Sequence, residues 1–360
     1  MSQTPRILFL LPYPLGKAPS QRFRVEQLLP LLDAAGIRYT LRPFMSMATW
    51  EVLYRQGSLL RKAWGIAGSF VRRKITVLFE APKYDYIFIH REAAPLGPPV
   101  FEWLLAKVLR KKIIFDFDDA IWIPNTSAEN RIAAWLKAHW KTRCICRWSY
   151  KAAGGNDFLC DYARRSGAPQ VVRMPTVVDT QNRYNRLKTH HPGKPVVGWT
   201  GSHSTLKYLD GLLPLLRQLQ ETLDFTFLVI ADKKPELPLK DWIYVPWDPT
   251  TEITDLLRMD IGIMPLTADR WSEGKCGFKL IQYLVLGIPA VASPVGVNSR
   301  IIEEGVNGYL ADDPQAWQAA LHKLLSDATL RARLGAAGRE KIVRDYSVLA
   351  VRDTFLSLFR

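Results

Sequence analysis

Short apolar runs alternate with longer amphipathic stretches along most of the chain. Residues 6–11, 37–42, 84–89, 112–117 and 170–174 read as strands in the first half, and 196–200, 225–231, 242–245, 260–265 and 289–293 in the second. Helical spacing of apolar positions fills the intervals between them. Such a βαβ rhythm predicts parallel, doubly wound α/β sheets. From Met174 to Pro195 the chain turns polar and aperiodic, with three prolines after Met174, so the rhythm stops and restarts there. Two doubly wound domains facing across a cleft are therefore expected.

In such sheets ligands sit beyond the carboxyl ends of the strands. The segment GKCGFKLIQYLVLGIPAVASPVG, beginning at Gly274, predicts a helix, a tight turn and a buried strand. Leu280, Ile281, Leu284 and Val285 make its apolar face, while Lys275, Lys279 and Gln282 share the opposite one. A helix N-terminus carries about half a positive charge, so cations there are unfavourable unless an anion compensates. Free amides, the dipole and two ammonium groups, with Gly277 and Phe278 in the opening turn, fit a phosphate. Solvated lysines, one neutralised by Glu273, are the alternative. GWTGSHSTLKYL, from Gly198, ends a strand in a turn that opens another helix, with Ser204 or Thr205 as its cap. Gly201 and Ser202 then offer backbone amides for a second phosphate contact, against a capped helix with no ligand. Trp247 follows a third strand in the same half, in PWD.

The first half offers different chemistry. FDFDDAIW places Asp116, Asp118 and Asp119 at a strand end. Three roles are open: a divalent-metal site, a general base or charge stabiliser toward a hydroxyl, or a helix cap. His90 ends another strand. Gly16, Lys17, Ser20, Arg22 and Arg24 follow the first strand, an opening suited to a phosphate or acceptor, with solvated arginines on a helix as the alternative. Asn156 and Asp157 follow a Gly-Gly pair, where Asp157 is a candidate cap.

Composition narrows the class. With 360 residues, 48% of them hydrophobic and 23% charged, the chain is globular and long enough for two domains. No run of eighteen uncharged apolar residues is present, and the N-terminal stretch lacks the cationic region and cleavage site of an export signal. Four cysteines without a second pair exclude a structural zinc site and fit a reduced, cytoplasmic chain. The net charge of +15 calls for an anionic partner: nucleic acid, a membrane surface or a phosphorylated substrate. No nucleic-acid signature is found, and the cations lie in separate segments. Two segments interleave cations with aromatics. The first holds Arg55, Arg61, Lys62, Arg72, Arg73 and Lys74 with Trp50, Trp64 and Phe70, and the second holds Lys137, Lys141, Arg143 and Arg147 with Trp135, Trp140 and Trp148. This is the composition of a segment peripheral on an anionic membrane, such as the inner face of the cell membrane, or of core tryptophans beside solvated cations.

GWTGSHSTLKYL, DIGIMPL, GKCGFKLIQYLVLGIPAVASPVGVN, EEGVNGYLA and DATLRARLGAAGREKIVRDYS together resemble the retaining glycosyltransferases of family 4, with the GT-B fold. SQRFR, HREAAPLGPP and IIFDFDDAIW resemble a subgroup more loosely. The resemblance implies an acceptor-binding domain over 1–178, completed by a crossover helix within 346–360, and a nucleotide-sugar domain over 179–345. It implies transfer of a hexose from a nucleoside diphosphate sugar to a saccharide or lipid-linked hydroxyl, with retention, in cell-surface polysaccharide or glycolipid synthesis. No cofactor or essential metal is implied. The charge of the departing diphosphate falls to Lys275, Lys279 and the backbone near Gly201 and Ser202, and the acceptor hydroxyl to Asp118, Asp119 or His90. The family's two glutamates, eight positions apart, are replaced: Gln282 stands at the ribose position and Gly274, beside Glu273, at the donor-sugar position. Asp118 stands where many relatives have a histidine. A non-catalytic nucleotide-sugar sensor is the alternative.

Overall fold

The computed structural model describes residues 4–54, 57–124 and 137–360. The chain divides into two compact units, one of Met1–Thr176 with Val351–Arg360 and the other of Val177–Ala350.

The first unit is built on one six-stranded sheet in the order β2-β1-β3-β4-β5-β6. Its strands are β1 (Arg6–Leu11), β2 (Arg38–Pro43), β3 (Tyr86–His90), β4 (Lys112–Phe117), β5 (Lys151–Gly154) and β6 (Val171–Arg173). Every pairing is parallel. All residues of β3, and all but the first of β1 and β4, are buried, because helices cover both faces and leave no polar side to the sheet. Strand β5, KAAG, carries too few large apolar residues to be recognised in the sequence. It is buried nonetheless, and Gly154 has no room for a side chain, since a Cβ there would lie 2.9 Å from the Cys160 backbone nitrogen.

Helices of this unit are α1 (Pro19–Arg24), α2 (Leu29–Ala34), α3 (Met47–Tyr54), α4 (Leu59–Ile75), α5 (Val100–Trp103), α6 (Lys141–Trp148) and α7 (Asp157–Arg165). Asn156 caps α7, its side chain accepting the Leu159 amide at 2.9 Å; Asp157, the expected cap, is the first residue inside the helix. The last helix of the chain, Arg352–Ser357, belongs to this unit. Phe355, Leu358 and Phe359 are buried, and the Phe359 ring meets Phe9, Tyr86 and Phe88 on β1 and β3 with centroids 5.9–6.4 Å apart. Lys151 closes this chain end by donating to the carbonyls of Ser357 and Arg360.

The second cationic segment has a buried face and an exposed one, the exposed one carrying Trp140, Arg143 and Arg147. Lys141 is buried, paired with Glu92 at 2.7 Å and donating to the Ala94 carbonyl, while Ile145 and Cys146 turn α6 inward. Trp135 lies outside the described residues.

The second unit has the sheet order β12-β11-β10-β7-β8-β9, again wholly parallel. The strands are β7 (Val196–Gly201), β8 (Thr226–Ala231), β9 (Trp242–Pro246), β10 (Ile261–Met264), β11 (Ala290–Ala292) and β12 (Gly308–Leu310). Helices α8 (Leu213–Thr222), α9 (Glu252–Leu256), α10 (Arg270–Glu273), α11 (Phe278–Val285), α12 (Asn298–Ile301), α13 (Pro314–Ser326) and α14 (Ala328–Asp345) flank it. Counted from its own first strand, this is the dinucleotide-binding order, which reverses direction between β7 and β10. In the first unit the reversal falls between β1 and β3.

Helix α11 is held very closely. A Cβ at Gly262 on β10 would lie 2.3 Å from the Tyr283 ring, one at Gly335 on α14 would lie 2.0 Å from the Gly287 carbonyl, and one at Gly338 would strike Leu284. The Tyr283 hydroxyl also accepts the Thr200 amide at 3.0 Å, tying the middle of α11 to the end of β7.

Replacing Phe359 with Ala should cost the first unit about 3–5 kcal/mol. Hydrogen-exchange mass spectrometry should show faster exchange in β1 and β3 with β7, β8 and β10 unchanged; equal exchange everywhere would mean that the C-terminal residues do not support this sheet.

Candidate active site

Each unit gathers its unusual side chains at the carboxyl ends of its strands, around the point where strand order reverses. In the second unit that point lies between the ends of β7 and β10, where α11 begins. Gly277 precedes the helix in a left-handed conformation (φ 67°), and a Cβ there would lie 2.2 Å from Ile301 Cδ1. No side chain caps the helix, so the positive end of its dipole is not offset by a cap.

Lys279 stands on that first turn. Its ammonium lies 4.3 Å from the centroid of the Trp199 ring, on β7, and no carboxylate pairs with it among the described residues. Burial, with Lys275 adding a second positive charge, pushes the Lys279 ammonium down to about 7. Lys275 reaches over the rings of Tyr208 and Trp271 at 5.7 and 5.8 Å. Gly201 completes this wall, because a Cβ there would come within 2.5 Å of the Trp199 ring and displace the surface on which Lys279 rests. A desolvated cation over an aromatic face, beside a second cation and an open helix N-terminus, is built to receive an anion.

The turn after β7 departs from expectation. Ser202, rather than Ser204 or Thr205, caps a short 3-10 helix, His203–Tyr208, in a reciprocal box with Thr205. The Ser202 amide is bonded to Thr205 Oγ1 at 3.2 Å and the His203 amide to Asp232 Oδ1 at 2.5 Å. These donors are already committed, so one helix N-terminus, not two, is open for phosphate.

Gln282 also departs from expectation. It is buried, and its amide nitrogen donates to the Tyr184 hydroxyl at 2.7 Å. Tyr184 donates to Glu252 Oε2 at 3.4 Å, and Trp247 donates from Nε1 to Glu252 Oε1 at 3.2 Å. The residue read as a ribose ligand is thus part of an internal network centred on buried Glu252. Trp247 belongs to the same network. Sequence reasoning passed over Glu252, whose only signal was its place just after PWD. Glu273 is exposed at the end of α10, while Phe278 is half-buried at the start of α11.

In the first unit the reversal point is occupied by charge. Register places His90 on β3 beside Asp116 on β4. His90 Nδ1 lies 2.8 Å from Asp116 Oδ2, and His90 Nε2 lies 2.9 Å from Ser20 Oγ, at the start of α1. Arg24, also on α1, pairs with Asp116 and donates to the Met174 carbonyl. Arg24, His90 and Asp116 are buried, so Arg24 supports the network and is not available to an acceptor phosphate. Arg22 is likewise buried, packed toward the Phe23 ring at 5.1 Å. Gly16 is not available either: its amide donates to both Glu26 carboxylate oxygens at 2.9 and 3.1 Å, and Gln21 donates to the same carboxylate. Lys17 is exposed on this closed loop.

Arg91 was not among the expected residues. It follows β3 with φ 61°, a left-handed conformation that costs a non-glycine residue about 1–2 kcal/mol. This backbone aims the guanidinium at Asp118, 2.7 Å away, and Asp119, 2.5 Å away. Burial pushes the Asp118 carboxyl up, but Arg91, then His90 and Arg24, outweigh it and hold it well below the usual carboxylate range, with Ser20 hydrogen-bonded to it. Such a carboxylate is a poor general base and a good hydrogen-bond acceptor. Asp119, paired with the same guanidinium, is not a helix cap, since a turn follows it. Arg24 pairs with Asp116 while Arg91 is shared by Asp118 and Asp119, and no group of side chains placed to hold a metal ion is found among the described residues.

The fold resembles that of GT-B glycosyltransferases. Residues 194–327 match the family model described as Glycosyl transferases group 1. A stretch of 81 residues is 32% identical to spore coat protein SA of Bacillus subtilis (strain 168), covering 22% of this chain and 22% of that protein. Among solved structures, sucrose-phosphate synthase from Thermosynechococcus elongatus superposes with a TM-score of 0.70 at 15% identity, over 99% of this chain and 98% of that one. Anabaena HepE in complex with UDP-glucose gives 0.65 at 16% identity, over 98% of each chain.

The free Lys279 value near 7 sets a pH dependence. A diphosphate needs the ammonium form, so affinity is full below that value and is lost above it. The dissociation constant for a nucleoside diphosphate should rise toward ~10-fold per unit above about pH 7, and Lys279→Arg should flatten the rise. Calorimetric titration checks this; a pH-independent affinity in the wild type would rule the cation out.

Proposed function

We propose that the chain is a retaining glycosyltransferase that moves a hexose from a nucleoside diphosphate sugar to the hydroxyl of a saccharide or lipid-linked acceptor, in cell-surface polysaccharide or glycolipid synthesis. Lys279 carries the proposal: a half-buried cation with no carboxylate partner, set on an uncapped helix N-terminus beside Lys275. The group 1 match over residues 194–327 contains this helix, and the HepE structure with UDP-glucose shows a protein of the same fold with such a donor.

When the bond between sugar and diphosphate breaks, negative charge grows on the leaving phosphate. Lys279, Lys275 and the α11 dipole stabilise that charge in place, without a bound metal ion. One preorganised donor of this kind contributes about 3 kcal/mol, or roughly a hundredfold in rate. In the first unit Asp118, kept ionised by Arg91, orients the acceptor hydroxyl by accepting its hydrogen bond. Ser20 Oγ lies 2.9 Å from His90 Nε2, so His90 acts through that hydroxyl. Departure and attack on one sugar face give retention.

Transfer is tested with UDP-, GDP-, ADP- and CMP-sugars carrying a radiolabel, with a panel of saccharide and lipid-linked acceptors, and product stereochemistry is read by NMR. Lys279→Ala should lower kcat/KM about 100-fold with an unchanged thermal midpoint, and Asp118→Asn should lower kcat more than donor affinity. Saturating EDTA should leave the rate unchanged. Donor binding without transfer or hydrolysis would replace the enzyme by a nucleotide-sugar sensor; loss of activity in EDTA with recovery on adding Mn²⁺ or Mg²⁺ would restore a metal to the mechanism.

A further inference from the structure

Helix α4 turns its apolar stripe the wrong way for a core helix. Leu60, Trp64, Val71 and Ile75 recur at intervals of four, seven and four, one face of a helix about 25 Å long, and they are 79%, 77%, 58% and 49% exposed. The stripe continues past the helix through Leu78 and Phe79, the latter 67% exposed. The opposite face is the buried one, where Ile66 and Phe70 join a small core with Phe44, Met45 and Trp50. A contiguous apolar row of this length on a surface marks a binding face.

Charge identifies what it binds. The seventeen residues of α4 include five cations, Arg61, Lys62, Arg72, Arg73 and Lys74, and no aspartate or glutamate. Arg73 turns inward to the Leu11 carbonyl at 3.0 Å. At 100° per residue, Arg61 borders one side of the stripe and Lys74 the other, while Arg72 donates back to Ser69 Oγ at 2.9 Å. Apolar side chains with a tryptophan, edged on both sides by long cations, match the headgroup and acyl layers of an anionic bilayer. The neighbouring α5 touches α4 through Phe70 and Phe101, 6.2 Å apart, and exposes Val100 and Trp103 as well.

Position makes the same case. Arg73 reaches the carboxyl end of β1, and Trp50 on α3 meets Tyr13 edge to face at 5.6 Å, just after that strand. Helices α3 and α4 therefore stand at the carboxyl end of the sheet, the end at which Ser20, His90 and Asp118 also lie.

We infer that the exposed face of α4 lies in the surface of an anionic membrane and holds this unit against it. The inference rests on the surface alone, and its test needs no turnover, so its failure and that of the transferase proposal are separable. The full chain is sedimented with vesicles of phosphatidylglycerol in phosphatidylcholine and with vesicles of phosphatidylcholine alone. Binding is expected to the first and not the second. Leu60→Ser, Trp64→Ser and Val71→Ser combined should weaken it about a hundredfold with an unchanged thermal midpoint, since all three side chains are exposed. Arg61→Gln with Lys74→Gln should weaken binding at low salt and reduce its salt dependence. Absence of wild-type binding, or a triple variant that binds as well as wild type, overturns the inference. A concentration-dependent dimer abolished by the triple variant, without vesicle binding, assigns the face to a second copy instead.

Discussion

A parallel sheet covered on both faces leaves its polar groups one place to go. Strands such as β1, β3 and β8 are buried along nearly their whole length, so charged and hydrogen-bonding side chains are excluded from the faces and collect beyond the strand ends. Where strand order reverses, neighbouring loops diverge and leave room for them. The two chemically distinct clusters, Lys279 with Lys275 in one unit and Ser20–His90–Asp116 with Arg91–Asp118 in the other, both occupy such points. The functional argument depends on this constraint, because it separates residues that meet a ligand from those that merely resemble ones that do.

The clusters handle charge in opposite ways. Around Asp116, Asp118 and Asp119 every carboxylate has a guanidinium partner, Arg24 on the first and Arg91 shared by the other two, so the charges are paired within the network. A network paired in this way holds a precise arrangement of acceptors and has little proton chemistry of its own. Around Lys279 the balance is left open: burial and Lys275 oppose the charge, and among the described residues the Trp199 face partly offsets them. An unbalanced cation waits for an anion to complete it. Orienting an acceptor calls for the first arrangement, and taking up a growing negative charge for the second.

The glycines show how little tolerance the second site has. Gly201, Gly262 and Gly277 stand where a single added carbon would meet Trp199, Tyr283 or Ile301 within 2.5 Å. They set the position of α11 relative to β7 and β10, and so of Lys279 relative to the Trp199 ring. Interiors packed to this density move by small steps or not at all, which keeps the ammonium and the helix terminus aimed at one point.

Much of this was legible in the chain itself. Runs such as RILFLL and KIIFDF are too apolar to be anything but buried strands, and their repetition with amphipathic intervals specifies doubly wound sheets, because period and burial are local properties. The lysines of GKCGFK were equally legible, since a cation at a helix start is a local conflict that asks for an anion. What escaped was decided by partners far away in sequence. Arg24 appeared to be a candidate ligand until Asp116, 92 residues on, was seen to hold it. Gln282 was directed inward by Tyr184, 98 residues earlier, and Gly16 was closed by Glu26. The direction of the α4 stripe had the same origin: its apolar spacing was plain, but only the packing of Phe70 against Phe44 and Phe101 determined which face was left to the solvent. Sequence periodicity determines that a helix has two faces, and tertiary contacts decide which one is buried, because burial is a property of the neighbours.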